Sequence, residues 1–244
     1  MNGTLVVFRR EFAAYFSTPL AYVFLAFFLV LTGLYQWAFM GFYQADQASL
    51  QALFSGLPWL FLALIPALGM RLWSEERRSG TMELLLTLPI SVPQAVLGKF
   101  LAAWAFVGVA LLLLTSEWAT VAYLGDPDHG VILAGFVGAF LMAGSYLAFA
   151  ALISALTKNQ VLAFVVTLVM LLVNLTIGFP GVADWLGGVL PAFLHQTIKD
   201  TSFLVRFDAI SRGVLDLRDI LFFLSSVALC LFANAAVVDL RKGA

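Results

Sequence analysis

The chain has 244 residues, of which 62% are hydrophobic and 11% charged, with a net charge of −1 and a mean hydropathy of +0.99. Soluble domains carry about 25% charged residues and about 45–50% apolar ones, so a surface this apolar must face lipid. The charge balance and a pI near 6.1 exclude a basic nucleic-acid binder; a single cysteine, Cys230 in an apolar run, excludes an internal disulfide or a multi-cysteine metal site.

Residues 4–17, TLVVFRREFAAYFS, are the first element. At about 100° per residue, Leu5, Phe8, Phe12, Tyr15 and Phe16 share one face while Arg10 and Glu11 lie away from it. That pattern predicts an interfacial helix, stopped by Ser17-Thr18-Pro19. Six stretches then meet the requirement of about 20 mostly apolar residues for a spanning helix. They lie near 19–41, 57–73, 96–123, 131–156, 161–181 and 219–239. The first exceeds the roughly 7–15 residues of a signal-peptide core and is read as an uncleaved span. Neither a composition shift nor an internal duplication divides the chain, so residues 1–244 are read as one membrane domain.

Orientation follows from the cations. With the N-terminus inside, Arg9, Arg10, Arg71, Arg77, Arg78, Lys99, Lys158, Arg241 and Lys242 all fall on the cytoplasmic side. Only Lys199, Arg206, Arg212 and Arg218 fall outside, in or at the end of one long segment. The excess predicts that both termini are cytoplasmic.

Polar groups inside the spans are few. Glu117, in the outer part of the third span, is an intramembrane carboxylate and a candidate for the translocation path, unless solvent reaches it at the outer interface. Asn174 in the fifth span is read first as a hydrogen-bonding tie between helices, the alternative being a second residue of the translocation path. Gly135, Gly138, Ala139, Ala143, Gly144 and Ala148 give the fourth span faces small enough for close helix packing. Gly144-Ser145 has no histidine at membrane depth, because His129 and His195 both lie outside the spans, which argues against an intramembrane hydrolase. The turn DPDHG at 126–130 is read as solvated rather than as a metal site, and no metal site is expected. Segment 182–218 carries apolar runs too short to span and is expected to form a re-entrant or interfacial piece on the outer side.

The densest charge lies between the second and third spans, in SEERRSGTMELLLTLP at 74–89. Positive-inside anchoring accounts for Arg77 and Arg78 but not for Glu75, Glu76 and Glu83. Gly80 breaks the preceding helix, and Thr81 caps a short new one with Glu83 near its positive end. Leu84, Leu85, Leu86 and Leu88 make that helix largely apolar until Pro89 stops it. An apolar helix flanked by charge on the cytoplasmic side is suited to docking on another protein.

WSEERRSGTMELLLTLPIS followed by VLGKFLAAW resembles the signature region of ABC-2 type transporter permeases, most of all the gliding-motility, GldF-like group. ALISALTKNQVLAF at 151–164 and RGVLDLRDILFF at 212–223 extend the resemblance over nearly the whole chain. The resemblance implies an all-α permease subunit of an exporter in a bacterial cytoplasmic (inner) membrane. It also implies a coupling helix in the charged loop that meets a separate ATP-binding subunit. That interface would comprise Glu75, Glu76, Arg77, Arg78, Gly80, Thr81, Glu83, Leu84, Leu85, Leu88 and Pro89. ATP and Mg would sit in the partner, a second permease chain would complete a homodimer, and a GldG-like membrane-anchored subunit is a further expected partner. The outer segment departs from the group around HQTIKDTS, and Arg206-Phe207 stands where a His-Phe pair is expected.

The chain itself carries no GxxxxGK[ST] loop: Gly98-Lys99 is followed by Phe100 and lacks the upstream glycine. It is therefore read as a non-enzyme, and Lys99 as a snorkelling lysine at the start of the third span. A membrane scaffold or mechanical adaptor for a motility or secretion apparatus is the alternative that the same docking helix would serve.

Overall fold

The computed structural model describes residues 3–39, 42, 48–80, 90–189 and 191–240. Thr81, Glu83, Leu84, Leu85, Leu88 and Pro89 of the expected coupling helix lie outside the described residues. Those that are described form an all-helical fold without strands. Six helices are long and apolar enough to cross a membrane: Ala21–Phe39, Gln51–Ser79, Val92–Leu124, His129–Leu156, Gln160–Ile177 and Leu217–Leu240.

Local chemistry sets the boundaries. Helix α1 (Gly3–Phe16) ends where Thr18 turns extended and Pro19 takes the first position of α2 (Pro19–Leu34), as Ser17-Thr18-Pro19 suggests. Helix α2 runs directly into a π-type turn at Tyr35–Phe39. Helix α3 (Gln51–Gly69) contains Pro58 and Pro66, and the chain resumes after Met70 as α4 (Arg71–Ser79). Gly80, left-handed at φ 72°, closes α4 as a glycine best can. Helix α5 (Val92–Leu124) starts on a capping box in which the Gln94 side chain accepts from the Ser91 N–H. Asp128 and Asn159 side chains cap α6 (His129–Leu156) and α7 (Gln160–Ile177).

Helix α6 is the central post, with α3, α4, α5, α7 and the later helices packed around it. Its small residues make that crowding possible. A side chain at Gly135 would strike the Phe54 ring, one at Gly138 would meet Ile210, and one at Gly144 would meet the Trp104 indole. Ala139, Ala143 and Ala148 are fully buried beside them. Without a hydrophobic drive between helices in lipid, such close van der Waals contact supplies the association. At the periphery, the most apolar windows of α2, α7 and the last helix are only 22%, 22% and 28% buried, which leaves them facing lipid.

The second span differs from expectation: it begins at Gln51, and its helical path continues through the break at Met70 as far as Ser79. Residues 71–79 are helical up to the expected break at Gly80, so the helix runs beyond the expected end of the span at 73. Segment 182–218 folds as short helices, α8 (Pro180–Val189), α9 (Ala192–Asp200) and α10 (Phe203–Ser211), before α11 (Leu217–Leu240). Phe203, Phe207 and Ile210 bury α10 against α6 and α11, so this helix belongs to the packed body.

Candidate functional site

Helices α1, α4 and α5 converge on Lys99. Helix α1 lies closely along α5 because Gly98 leaves room for Val7 and the Thr4 carbonyl. Tyr15 stacks on Phe106 with ring centroids 4.9 Å apart, and Phe16 meets the same ring edge-on. Phe12, Tyr15 and Phe16 of the face assigned from periodicity pack inward, whereas Glu11 joins them toward Lys99 and Leu5 is left exposed. Burial pushes the Glu11 carboxyl up, but Lys99 and Arg10 beside it together outweigh that and hold it below the ordinary carboxylate range.

Lys99 does not snorkel. Its side chain is 4% exposed, with Nζ 2.7 Å from Glu76 Oε1 and 3.2 Å from Glu11 Oε1. The ammonium also lies 5.5 Å from the centre of the Trp73 ring. One cation therefore ties the N-terminal helix, the extension of the second span and the start of the third. The other Glu76 oxygen, Oε2, is buried with no hydrogen-bond partner among the described residues.

A second tie lies at the break between α3 and α4. Ser154 Oγ accepts the backbone N–H groups of Trp73 (3.1 Å) and Ser74 (3.0 Å) and donates to the Met70 carbonyl at 2.7 Å. Three backbone groups that a helix interruption exposes are thereby satisfied by one hydroxyl from α6. Arg77 Nη1 donates to the Ala155 carbonyl at 2.8 Å. Of the four charges expected to face a partner, Glu76 and Arg77 instead make contacts within the chain. Glu75 pairs with Arg71 at 3.0 Å on the exposed side, and Arg78 is exposed.

On the opposite side of the bundle, Glu117 Oε2 accepts from Trp37 Nε1 at 2.6 Å, and Gly33 leaves space beside its other oxygen. The carboxylate is thus bound at the seam of α2 and α5, on the π-type turn. Asn174 uses both ends of its amide: Nδ2 donates to the Thr201 carbonyl at 3.0 Å and Oδ1 accepts the Phe203 N–H at 3.0 Å. It fastens α7 to the junction of α9 and α10. Arg206 pairs with Asp219 at 2.7 Å and lies over the Phe222 ring, joining α10 to α11. In DPDHG, Asp128 caps α6 and His129 Nδ1 accepts from Trp118 Nε1 at 3.0 Å. No cluster of three or more His, Cys, Asp or Glu suited to a metal occurs among the described residues.

A family model described as ABC-2 family transporter protein matches residues 34–199. The chain belongs to the ABC-2 transporter family. The ABC-2 match takes in α3 and α4, the charged stretch 74–89, the whole of α5 to α8 and nearly all of α9. Membership makes the chain a multi-pass membrane permease subunit of a transporter that works with an ATP-binding subunit. No curated protein matches the chain. Sequence reasoning missed Glu11 and Ser154 as parts of this ABC-2 permease's α4 support. The available signal was that Glu11 and Lys99 are charges in otherwise apolar stretches, where an opposite partner is the economical solution.

Proposed function

We propose that this permease is the membrane half of an exporter of the GldF-like group, placed in a bacterial inner membrane with both termini cytoplasmic. It works as a homodimer driven by two ATP-binding chains that hold ATP and Mg, with a GldG-like membrane-anchored protein as auxiliary subunit. The observation that carries the reading is the fixed position of α4. This helix immediately precedes the stretch 81–89 in the sequence, and Ser154, Arg77 and the Lys99 bridge each tie it to a different part of the body. A docking helix attached to such a support passes force inward rather than swinging freely.

The coupling interface is assigned to Glu75, Arg78, Gly80, Thr81, Glu83, Leu84, Leu85, Leu88 and Pro89, with Glu76 and Arg77 as the inward anchors of the same segment. Glu117 and the Trp37 indole are assigned to the path. Apolar anchors contribute more to such an interface than rim charges do. Leu85→Asp would place an unpaired carboxylate in the interface, at a cost of roughly 3–5 kcal/mol. The test is co-purification of the ATP-binding chain from cells carrying this mutant, together with transport of the substrate by the intact complex. Loss of the ATPase from the mutant supports the assignment. Retention at wild-type levels, or a wild-type complex with no nucleotide-binding protein, overturns it.

A further inference from the structure

Under α1, between α2, the end of α3, α4 and α5, lies a cavity of about 620 Å³. That volume is within the roughly 300–1,000 Å³ of small-molecule sites. Its inner wall is apolar and aromatic, built from Tyr15, Phe24, Leu68 and Phe106, with Ala14, Ala21 and Ala67 keeping the space open. Val23 and Phe27 at its edge are 63% and 53% exposed on the lipid-facing side of α2, so the cavity borders the bilayer.

The other end is ionic. Glu11, Glu75 and Glu76 line it with Arg71 and Lys99, three carboxylates to two cations, and Arg10 just outside already holds Glu11 at 2.7 Å. Arg71 and Glu75 pair on the exposed rim at 3.0 Å, open to exchange with an incoming zwitterion. Glu76 keeps 18% of its side chain exposed beside this cavity while its Oε1 is held by Lys99, so it adds negative charge at the ionic end. A rim of three carboxylates and two cations disfavours an anionic headgroup and suits one carrying both phosphate and ammonium.

We propose that this cavity is a lipid site that holds one acyl chain of an aminophospholipid from the leaflet next to α1. The ammonium lies toward the Glu75 and Glu76 carboxylates and the phosphate toward Arg71. The aromatic wall takes the chain. Neither the direction of transport nor the identity of the ATPase enters the assignment.

The test is native mass spectrometry of the purified full chain, titrated separately with phosphatidylethanolamine, phosphatidylcholine and phosphatidylglycerol of identical chains. The expected result is one tightly retained phosphatidylethanolamine, preferred about tenfold over each of the others; phosphatidylcholine lacks the N–H donor and phosphatidylglycerol the positive charge. Ala67→Trp fills the cavity and should abolish the preference with the helical content unchanged, and Ala21→Leu is the second filling variant if the first fails to fold. Glu76→Gln should bring phosphatidylethanolamine and phosphatidylcholine to equal retention. Equal retention of all three lipids by the wild type means annular lipid only and overturns the proposal. So does an undiminished preference in the folded filling variant.

Discussion

Removing the Lys99 ammonium alone should destabilise the bundle more than removing it together with the two carboxylates it joins. In Lys99→Met, the carboxylates of Glu11 and Glu76 are left facing each other without their shared cation. Breaking a fully buried ion pair by deleting one partner costs about 3–5 kcal/mol. Here the carboxylate side chains keep 22% and 18% of their exposure, so water relieves part of the penalty and about 2–3 kcal/mol is expected. Replacing the whole group, with Lys99→Met, Glu11→Leu and Glu76→Leu together, removes the desolvation cost along with the attraction. Such apolar replacements range from neutral to about 1–4 kcal/mol stabilising. The assay is unfolding in mixed micelles of graded detergent composition, followed by helical circular dichroism. A Lys99→Met midpoint equal to wild type would refute the burial argument. A triple mutant that falls as far as the single one would show that the three groups do not act as a unit.

Ser154→Ala should cost about 1–3 kcal/mol in the same assay, because the Trp73 and Ser74 N–H groups lose their acceptor in a buried site. Hydrogen exchange should rise at residues 70–74 first; uniform exchange across the bundle would count against a local clamp. Glu117→Gln should change transport or substrate-stimulated ATPase several-fold while the assembly stays intact. Unchanged transport would leave the Trp37 bond as a purely structural seam. For pH, the Glu11 carboxyl is held below its usual value of 4.5 in the folded state, so its contribution is present above that value and is lost as pH falls through the folded one. Wild type should therefore lose more stability below pH 4.5 than Glu11→Gln does, and parallel curves would contradict the pairing.

The spans were legible because lipid imposes a length and a polarity that no tertiary detail can override. The break at Ser17-Thr18-Pro19 was legible for a similar reason, since proline fixes local geometry. The places of Leu5 and Glu11 on α1 were not. Leu5 and Glu11 lie on the faces opposite to those their polarity suggests, because the deciding contact is the room at Gly98, nearly a hundred residues away. Likewise the charges at 75–78 look alike in the sequence, yet Glu76 and Arg77 have internal partners on α5 and α6 while Glu75 and Arg78 are exposed. Local pattern carries no information on which long-range partner claims a charge. Asn174 was recognised as unusual, but its role in holding the α9–α10 junction depends on where the outer segment folds back.

The elbow at Met70 has a mechanical meaning. With 19 residues in α3 and 9 in α4, the two arms measure about 28 Å and about 14 Å at 1.5 Å per residue. Ser154 binds the Met70 carbonyl at the junction and the Trp73 and Ser74 N–H groups just inside α4, so the junction is pinned to α6. Movement at the Ser79 end that turns both arms about this pin is therefore about doubled at Gln51.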